Sequence, residues 1–238
     1  MNRKIRNNFI KMSIACLLWA CGGGGGSDGG PSPPPPPPTG TDTLEFTFDG
    51  FTEVVGRNSF EVIVQQGDRY TIQVTVNEGL GDLVQVDQQG VRLRIGFDET
   101  FTGDIRSTIT RAVVTMPELT KIEAINSADV VVAGFTTGYL EAVLDGSARI
   151  EAGNCRFDFV DAILNGSSRL TLRDVSPIPA ANVTLGGNGS ATLNMMSGGT
   201  ITGLASGSSS LDYYGSNLSV QVTTSGTASV TRLGDTQS

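Results

Sequence analysis

A short string returns along the second half of this chain at nearly even intervals: LDGSARI, LNGSSRL, GNGSATL, ASGSSSL and TSGTASV. With Asn126, Gly146, Gly166, Gly189, Gly207 and Gly226 as reference positions, the spacings are 20, 20, 23, 18 and 19 residues. One residue later stands a hydroxyl: Ser127, Ser147, Ser167, Ser190, Ser208 and Thr227. Two residues later the side chain is small: Ala128, Ala148, Ser168, Ala191, Ser209 and Ala228. Four residues later come Val130, Ile150, Leu170, Leu193, Leu211 and Val230, and six residues earlier Thr120, Leu140, Val160, Val183, Ile201 and Val220.

Columns that match at such a period predict an all-β fold, a short parallel β-helix or solenoid. One coil is too short to bury its own apolar side, and stacking at about 4.8 Å lets equivalent side chains build a continuous core. The small column belongs beside a tight corner, where glycine supplies a backbone conformation other residues resist. The turn formers Asp145, Asn165, Asn188, Ser206 and Ser225 precede those corners. The longer interval before Gly189 coincides with DVSPIPA, a loop directed outward. An antiparallel sandwich or barrel shares the strand periodicity but does not account for the columns.

Residues 44–119 read differently. LEFTF, FEVIVQQ, YTIQVTV, LVQV, VRLRI and RAVVTMP alternate apolar and polar side chains, the signature of half-buried strands. Breaks of a few residues between them predict mainly antiparallel pairs. Phe46, Phe48, Phe51, Phe60 and Tyr70 concentrate aromatic bulk there, and residues 98–107 read as a loop. Solenoid repeats then occupy residues 120–234, and residues 235–238 form a tail.

Residues 1–20 have the layout of a secretory signal. Arg3, Lys4, Arg6 and Lys11 precede an apolar run at residues 12–20, far shorter than the ~20 residues of a membrane-spanning helix. The run ends Leu18-Trp19-Ala20-Cys21, which resembles the bacterial lipobox; Leu18, Ala20 and Cys21 fit it, while Trp19 is bulkier than that pattern favours. The resemblance implies cleavage and acylation (palmitate-type chains) at Cys21, hence a lipoprotein held to a membrane through its anchor. Gly22, in place of the Asp that retains such proteins at the inner membrane, implies the outer membrane, with a periplasmic or surface-facing domain. Residues 21–43, with five glycines and then six prolines, make a lipid-anchored spacer, flexible and then stiff.

The entry Phe48-Asp49-Gly50-Phe51, then Asn58-Ser59-Phe60-Glu61-Val62, Val64-Gln65-Gln66-Gly67-Asp68, Leu83-Val84-Gln85-Val86 and the Gly-Ser corners resemble the head GIN domain family. That family is also termed autotransporter adhesin head domains, or domain of unknown function 2807. The resemblance covers about residues 44–234. It implies a parallel β-helical architecture in a small exported protein or lipoprotein, and it brings no catalytic residues.

The chain contains no histidine, so Ser-His-Asp and Cys-His triads and histidine-ligated zinc sites are excluded. Of 16 Lys+Arg, four lie in the leader; against 24 Asp+Glu the remainder has a net charge of about −12, which disfavours nucleic acid. Cys155 is the sole cysteine after Cys21 and reads as a buried small residue rather than a reactive thiol. Stacked coils would bring Glu141 near Asp161 and Asp145 near Asn165, with Asp158 close in sequence, but no calcium-loop motif accompanies these acids. Alternation points Tyr213 inward and Tyr214 outward, making Tyr214 the candidate ligand contact. No cofactor or metal site is expected. The expected function is that of a noncatalytic, adhesin-like envelope lipoprotein whose solenoid contacts a glycan, peptidoglycan or another envelope protein. A structural or assembly component of the envelope is the alternative, followed by a carbohydrate-active enzyme. Open solenoid ends allow self-association.

Overall fold

A computed structural model of the chain describes residues 40–98 and 109–237. The signal, Cys21, most of the spacer and nearly all of the loop expected at 98–107 lie outside the described residues. The N-terminal region forms β1 (Thr41–Phe46), β2 (Glu53–Gly56), β3 (Glu61–Gln66), β4 (Thr71–Asn77), β5 (Val84–Gln89), β6 (Arg92–Phe97) and β7 (Thr110–Met116). Two coils follow as β8 (Lys121–Asn126) with β9 (Asp129–Ala133), and β10 (Thr136–Gly146) with β11 (Arg149–Gly153). Next come β12 (Arg156–Leu164), β13 (Arg169–Asp174), β14 (Ile178–Leu185) and the long β15 (Ser190–Ala205), which bends from one sheet into the other. The last strands are β16 (Ser210–Tyr214), β17 (Ser219–Thr224) and β18 (Ser229–Gly234).

The strands make two facing sheets. The front sheet runs β5, β6, β2, β8, β10, β12, β14, second half of β15, β17. The back sheet runs β1, β4, β7, β3, β9, β11, β13, first half of β15, β16, β18. From β8 onward every pairing is parallel and each coil contributes one strand to each sheet, so the repeats form a β-solenoid of six coils.

The N-terminal region holds the antiparallel strands: β1 on β4, β4 on β7, and β5 on β6. It also supplies two parallel levels, because β2 lies between β6 and β8, and β3 between β7 and β9. Short breaks did not make hairpins of β2–β3 or β3–β4. The break at Asn58 (φ 63°) is a corner between sheets, and β4 leaves a gap beside β3 that β7 later fills. β1, β4 and β5 thereby cover the first level.

Side chains fill the space between the sheets. Val62, Val130, Ile150, Leu170, Ala191 and Leu211 stack in register on the back sheet, all fully buried. Facing them, Leu140, Val160, Ala181 and Ile201 stack on the front sheet. Phe51 and Phe60 close the N-terminal end of this core, with Tyr70 4.7 Å from Phe51 and Phe97 5.0 Å from Phe60 between ring centroids.

The corner column differs from the sequence expectation at one coil. Residues with left-handed φ are Asn126, Gly146, Gly166, Gly187, Gly207 and Gly226, so the fourth corner is Gly187 and not Gly189. The spacings become 20, 20, 21, 20 and 19 residues. Gly189 then occupies the small column, Ala191 the aliphatic column, and Ala181 replaces Val183 at the six-earlier position. Leu193 moves to the next column, between Leu172 and Tyr213. GNGS offers two glycines, and only the first meets the hydrogen-bonding rule of the corner. There, the amide after each corner residue donates to the corner carbonyl one coil earlier: Ser147 to Asn126, Ser167 to Gly146, Asn188 to Gly166, Ser208 to Gly187 and Thr227 to Gly207, at 2.6 to 2.8 Å.

Candidate functional face

Parallel stacking in register turns each outward sequence position into a row. On the front sheet one row reads Glu53, Lys121, Glu141, Asp161, Asn182, Thr202, Gln221. From Lys121 to Gln221 its members are bonded within the row or to an adjacent one. Lys121 Nζ lies 2.7 Å from Glu141 and 3.2 Å from Glu123, and Arg92 also pairs with Glu123. Asn182 donates to Asp161 at 2.9 Å and Thr202 donates to Asn182 at 3.3 Å. Burial pulls the Lys121 pKa down, but its hydrogen bonds to Glu141 and Glu123 outweigh this and leave it above the ordinary 10.5.

Aromatic and aliphatic pairs flank this row. Tyr139 and Phe159 are register partners two positions before Glu141 and Asp161, and their rings stack at 6.0 Å with planes 8° apart. Two positions after the acids, Val143 and Ile163 pair in the same way, both half-buried. Tyr139 is 41% exposed, the one aromatic among the exposed large hydrophobic side chains described. Its phenol pKa is raised by partial burial and then by the negative charges of Asp161 and Glu141. The face therefore offers π surface next to a run of acceptors with local negative potential, the combination that grips C–H and hydroxyl groups of uncharged ligands.

The expected neighbours Glu141 and Asp161 are thus side by side. Asp145 and Asn165 occupy equivalent places in successive corners, where the Asn165 amide bonds Leu144 O at 2.9 Å. Asp158 pairs with Arg156 at 3.7 Å instead of joining the acids. The two acids lie on the open outer surface of a sheet. Glycoside hydrolysis needs two carboxyls about 5 to 9.5 Å apart on opposite sides of a bound sugar, a geometry adjacent residues of one row do not provide. An open concavity of about 400 Å³ lies elsewhere, on the back sheet, lined by Glu45, Gln65, Tyr70 and Gln73 among others.

Tyr214 is on β16, in register between Asn194 and Gly234, half-buried, and is not brought together with Tyr139. Tyr213 packs against the core as the alternation predicts. Cys155 is buried, its thiol 3.3 Å from Gly153 O, and burial pushes its pKa up, so it is held as the unreactive thiol. Tyr139 and Phe159 escaped the sequence reading although they obey its period: each stands seven residues before a corner glycine.

A search of curated proteins finds no match. Among solved structures, a "putative adhesin" from Bacteroides fragilis NCTC 9343 is similar with a TM-score of 0.67 at 14% identity, over 83% of this chain and 99% of that one. A "putative lipid binding protein" from Parabacteroides distasonis ATCC 8503 has a TM-score of 0.53 at 16% identity, covering 81% and 96%. A "putative adhesin" from Parabacteroides merdae ATCC 43184 has 0.51 at 19%, covering 81% and 96%. At these identities the likeness is one of fold. The model of the family described as "Putative auto-transporter adhesin, head GIN domain" matches residues 50–236, from the Gly50 entry through the last coil, and the chain belongs to that family.

Proposed function

We propose that this protein is a noncatalytic contact module of the cell envelope, which binds neutral or amino-bearing glycans through the front face at Tyr139, Phe159, Glu141 and Asp161. The observation that carries this reading is the parallel Tyr139–Phe159 stack directly beside the Glu141–Asp161–Asn182 row. A sugar ring lies on aromatic faces through its C–H groups while its hydroxyls donate to adjacent carboxylates and amides. Two neighbouring acids repel anionic sugars and favour neutral ones or those with an ammonium group. The adhesin names of the similar proteins support an envelope or surface setting. Among the described residues no helix is long and apolar enough to cross a membrane. Attachment rests on acylation at Cys21, with the Gly/Pro spacer holding the solenoid off an outer-membrane surface.

The test is a glycan array probed with the full chain, followed by titration of the strongest neutral or amino-sugar hit. Tyr139→Ala is expected to weaken binding at least about tenfold, the worth of one aromatic contact, and Tyr214→Ala to leave it unchanged. Loss only in Tyr214→Ala would move the site to β16, and binding confined to sialylated or uronic acid glycans would refute the electrostatic argument. Fatty-acid labelling that persists in Cys21→Ser would refute the anchor.

A further inference from the structure

The two ends of the solenoid are finished differently. At the first level, β1, β4 and β5 cover the stack with antiparallel strands. At the last level, β17 and β18 pair only with the preceding coil, so one edge of each sheet is uncovered among the described residues. Residues 235–237 do not cover it. They turn back along the corner, where Gln237 N–H donates to Asn194 Oδ1 at 2.9 Å and Thr236 Oγ1 to Met195 O at 3.0 Å.

The core is correspondingly open there. Val220, Val222, Ala228 and Val230 are only half-buried, whereas Ile201, Ala205 and Leu211 one coil earlier are fully enclosed. Leu233 is 48% exposed. Proteins ordinarily protect such edges with charges, proline or bulges. Here that protection is sparse: β18 carries Arg232, which pairs with Asp235, and a register shift beside Tyr214, but there is no proline after residue 179 and Asp212 is the one other charged side chain between residues 175 and 238. The acids are concentrated toward the opposite end. Two copies of so acidic a chain repel over most of their surface, and this end, where Arg232 and Asp235 offset each other, is the place where they can approach with the least like-charge contact.

The geometry points to a dimer in which two copies meet end to end through their last coils, β17 and β18 of one pairing antiparallel with the same strands of the other. Such an interface is isologous: it uses one patch twice, closes after two copies, and continues both sheets and the apolar column across the two-fold axis. It leaves the front face at Tyr139 free and doubles the number of such faces in one particle. Stacking in the same direction, last coil on first, would instead meet the β1–β4–β5 cover.

Sedimentation velocity of the full chain in a density-matched non-ionic detergent tests this directly. The expected result is a monomer–dimer equilibrium that tightens as salt rises, since salt screens the repulsion between the acidic bodies. Thr223→Lys with Thr231→Lys places charges at exposed positions of both edges and is expected to weaken dimerisation at least about tenfold, by like-charge contact at the two-fold. The folded state of the variant is checked by its melting curve, and Gln221→Lys alone serves the same comparison if the double variant melts early. A chain that stays monomeric at every concentration overturns the inference. So do oligomers that grow beyond the dimer or are strengthened by the lysines, which would indicate head-to-tail contact with the acidic end.

Discussion

Replacing Gly166 by alanine isolates what the repeated corner demands. Gly166 has φ +74°, and a Cβ built on it lies 2.5 Å from Gly146 O, with Gly146 C and Cα at 3.1 Å. Gly198 makes the control: its φ is +80°, but a Cβ there meets nothing within 4 Å. Both substitutions incur the left-handed cost for an L residue, about 1–2 kcal/mol. Gly166→Ala must also open the coils until the Cβ reaches ordinary contact at 3.4 Å or more. That shift, roughly 0.9 Å, would stretch the 2.7 Å bond from Ser167 N–H to Gly146 O beyond hydrogen-bond range. A lost bond is worth about 0.5–1.5 kcal/mol. The expected losses are therefore about 1.5–3.5 kcal/mol at Gly166 and about 1–2 at Gly198. Guanidinium denaturation of both variants measures the difference, and amide hydrogen exchange at Ser167 should speed up in the first variant only. Equal losses, with Ser167 protected in both, would refute the stacked-corner account.

Three further outcomes follow from the same columns. Ser168→Ala and Ser209→Ala remove buried hydroxyls that have no hydrogen-bond partner, so each should stabilise the fold by about 1 kcal/mol in denaturant titrations. Ala148→Leu should cost about 1–3 kcal/mol because its column holds only small residues, while Ser147→Ala, whose side chain is exposed, should change stability by less than about 0.5. The pKa of Lys121 is raised on folding, so its contribution is complete below the ordinary value of 10.5 and disappears as pH rises through the higher folded value. Lys121→Arg, charged throughout, should flatten that alkaline loss in melting curves followed above about pH 10.

The period was legible because a parallel solenoid makes unrelated parts of the chain solve the same packing problem. Val130, Ile150, Leu170 and Leu211 are aliphatic for one reason, and the match across coils reports it. The fourth coil was misaligned by two residues because alternation repeats every two positions, so a shift by two preserves the inside–outside pattern. The more even spacing, 21 and 20 residues in place of 23 and 18, favours Gly187, and the positive φ with the carbonyl beneath it fixes the choice. Pairing in the N-terminal region could not be read from break lengths. A corner between sheets and a hairpin turn can have the same length and residue types, and β7 joins β3 across nearly fifty intervening residues. The Tyr139–Phe159 pair was within reach of the period but lay outside the positions aligned around the corner.

Stacking in register carries an electrostatic penalty that makes one step of the front row informative. Any charge repeated in successive coils sits about 4.8 Å from its copy, and two like unit charges at that distance repel by roughly 1 kcal/mol in water and more when partly shielded. Rows therefore alternate sign or turn to amides and hydroxyls, as in Glu53–Lys121–Glu141 and Asn182–Thr202–Gln221. Glu141–Asp161 breaks that rule on the front face, with Glu141 compensated by Lys121 and Asp161 only by an amide. The back sheet has its own like-charge steps, Glu61–Asp129 and Arg149–Arg169, but there Glu61 pairs with Arg111 and Asp129 with Arg149, all of them about half exposed, so opposite charge and water screen both steps. A costly step retained beside the stacked rings fits a site kept for contact at the expense of stability. Asp161→Asn separates the two demands: it should raise stability by up to about 1 kcal/mol, and it should weaken the proposed glycan binding by removing the stronger acceptor. If stability falls while binding is untouched, Asp161 is a structural member of the row, and the like-charge step carries no functional meaning.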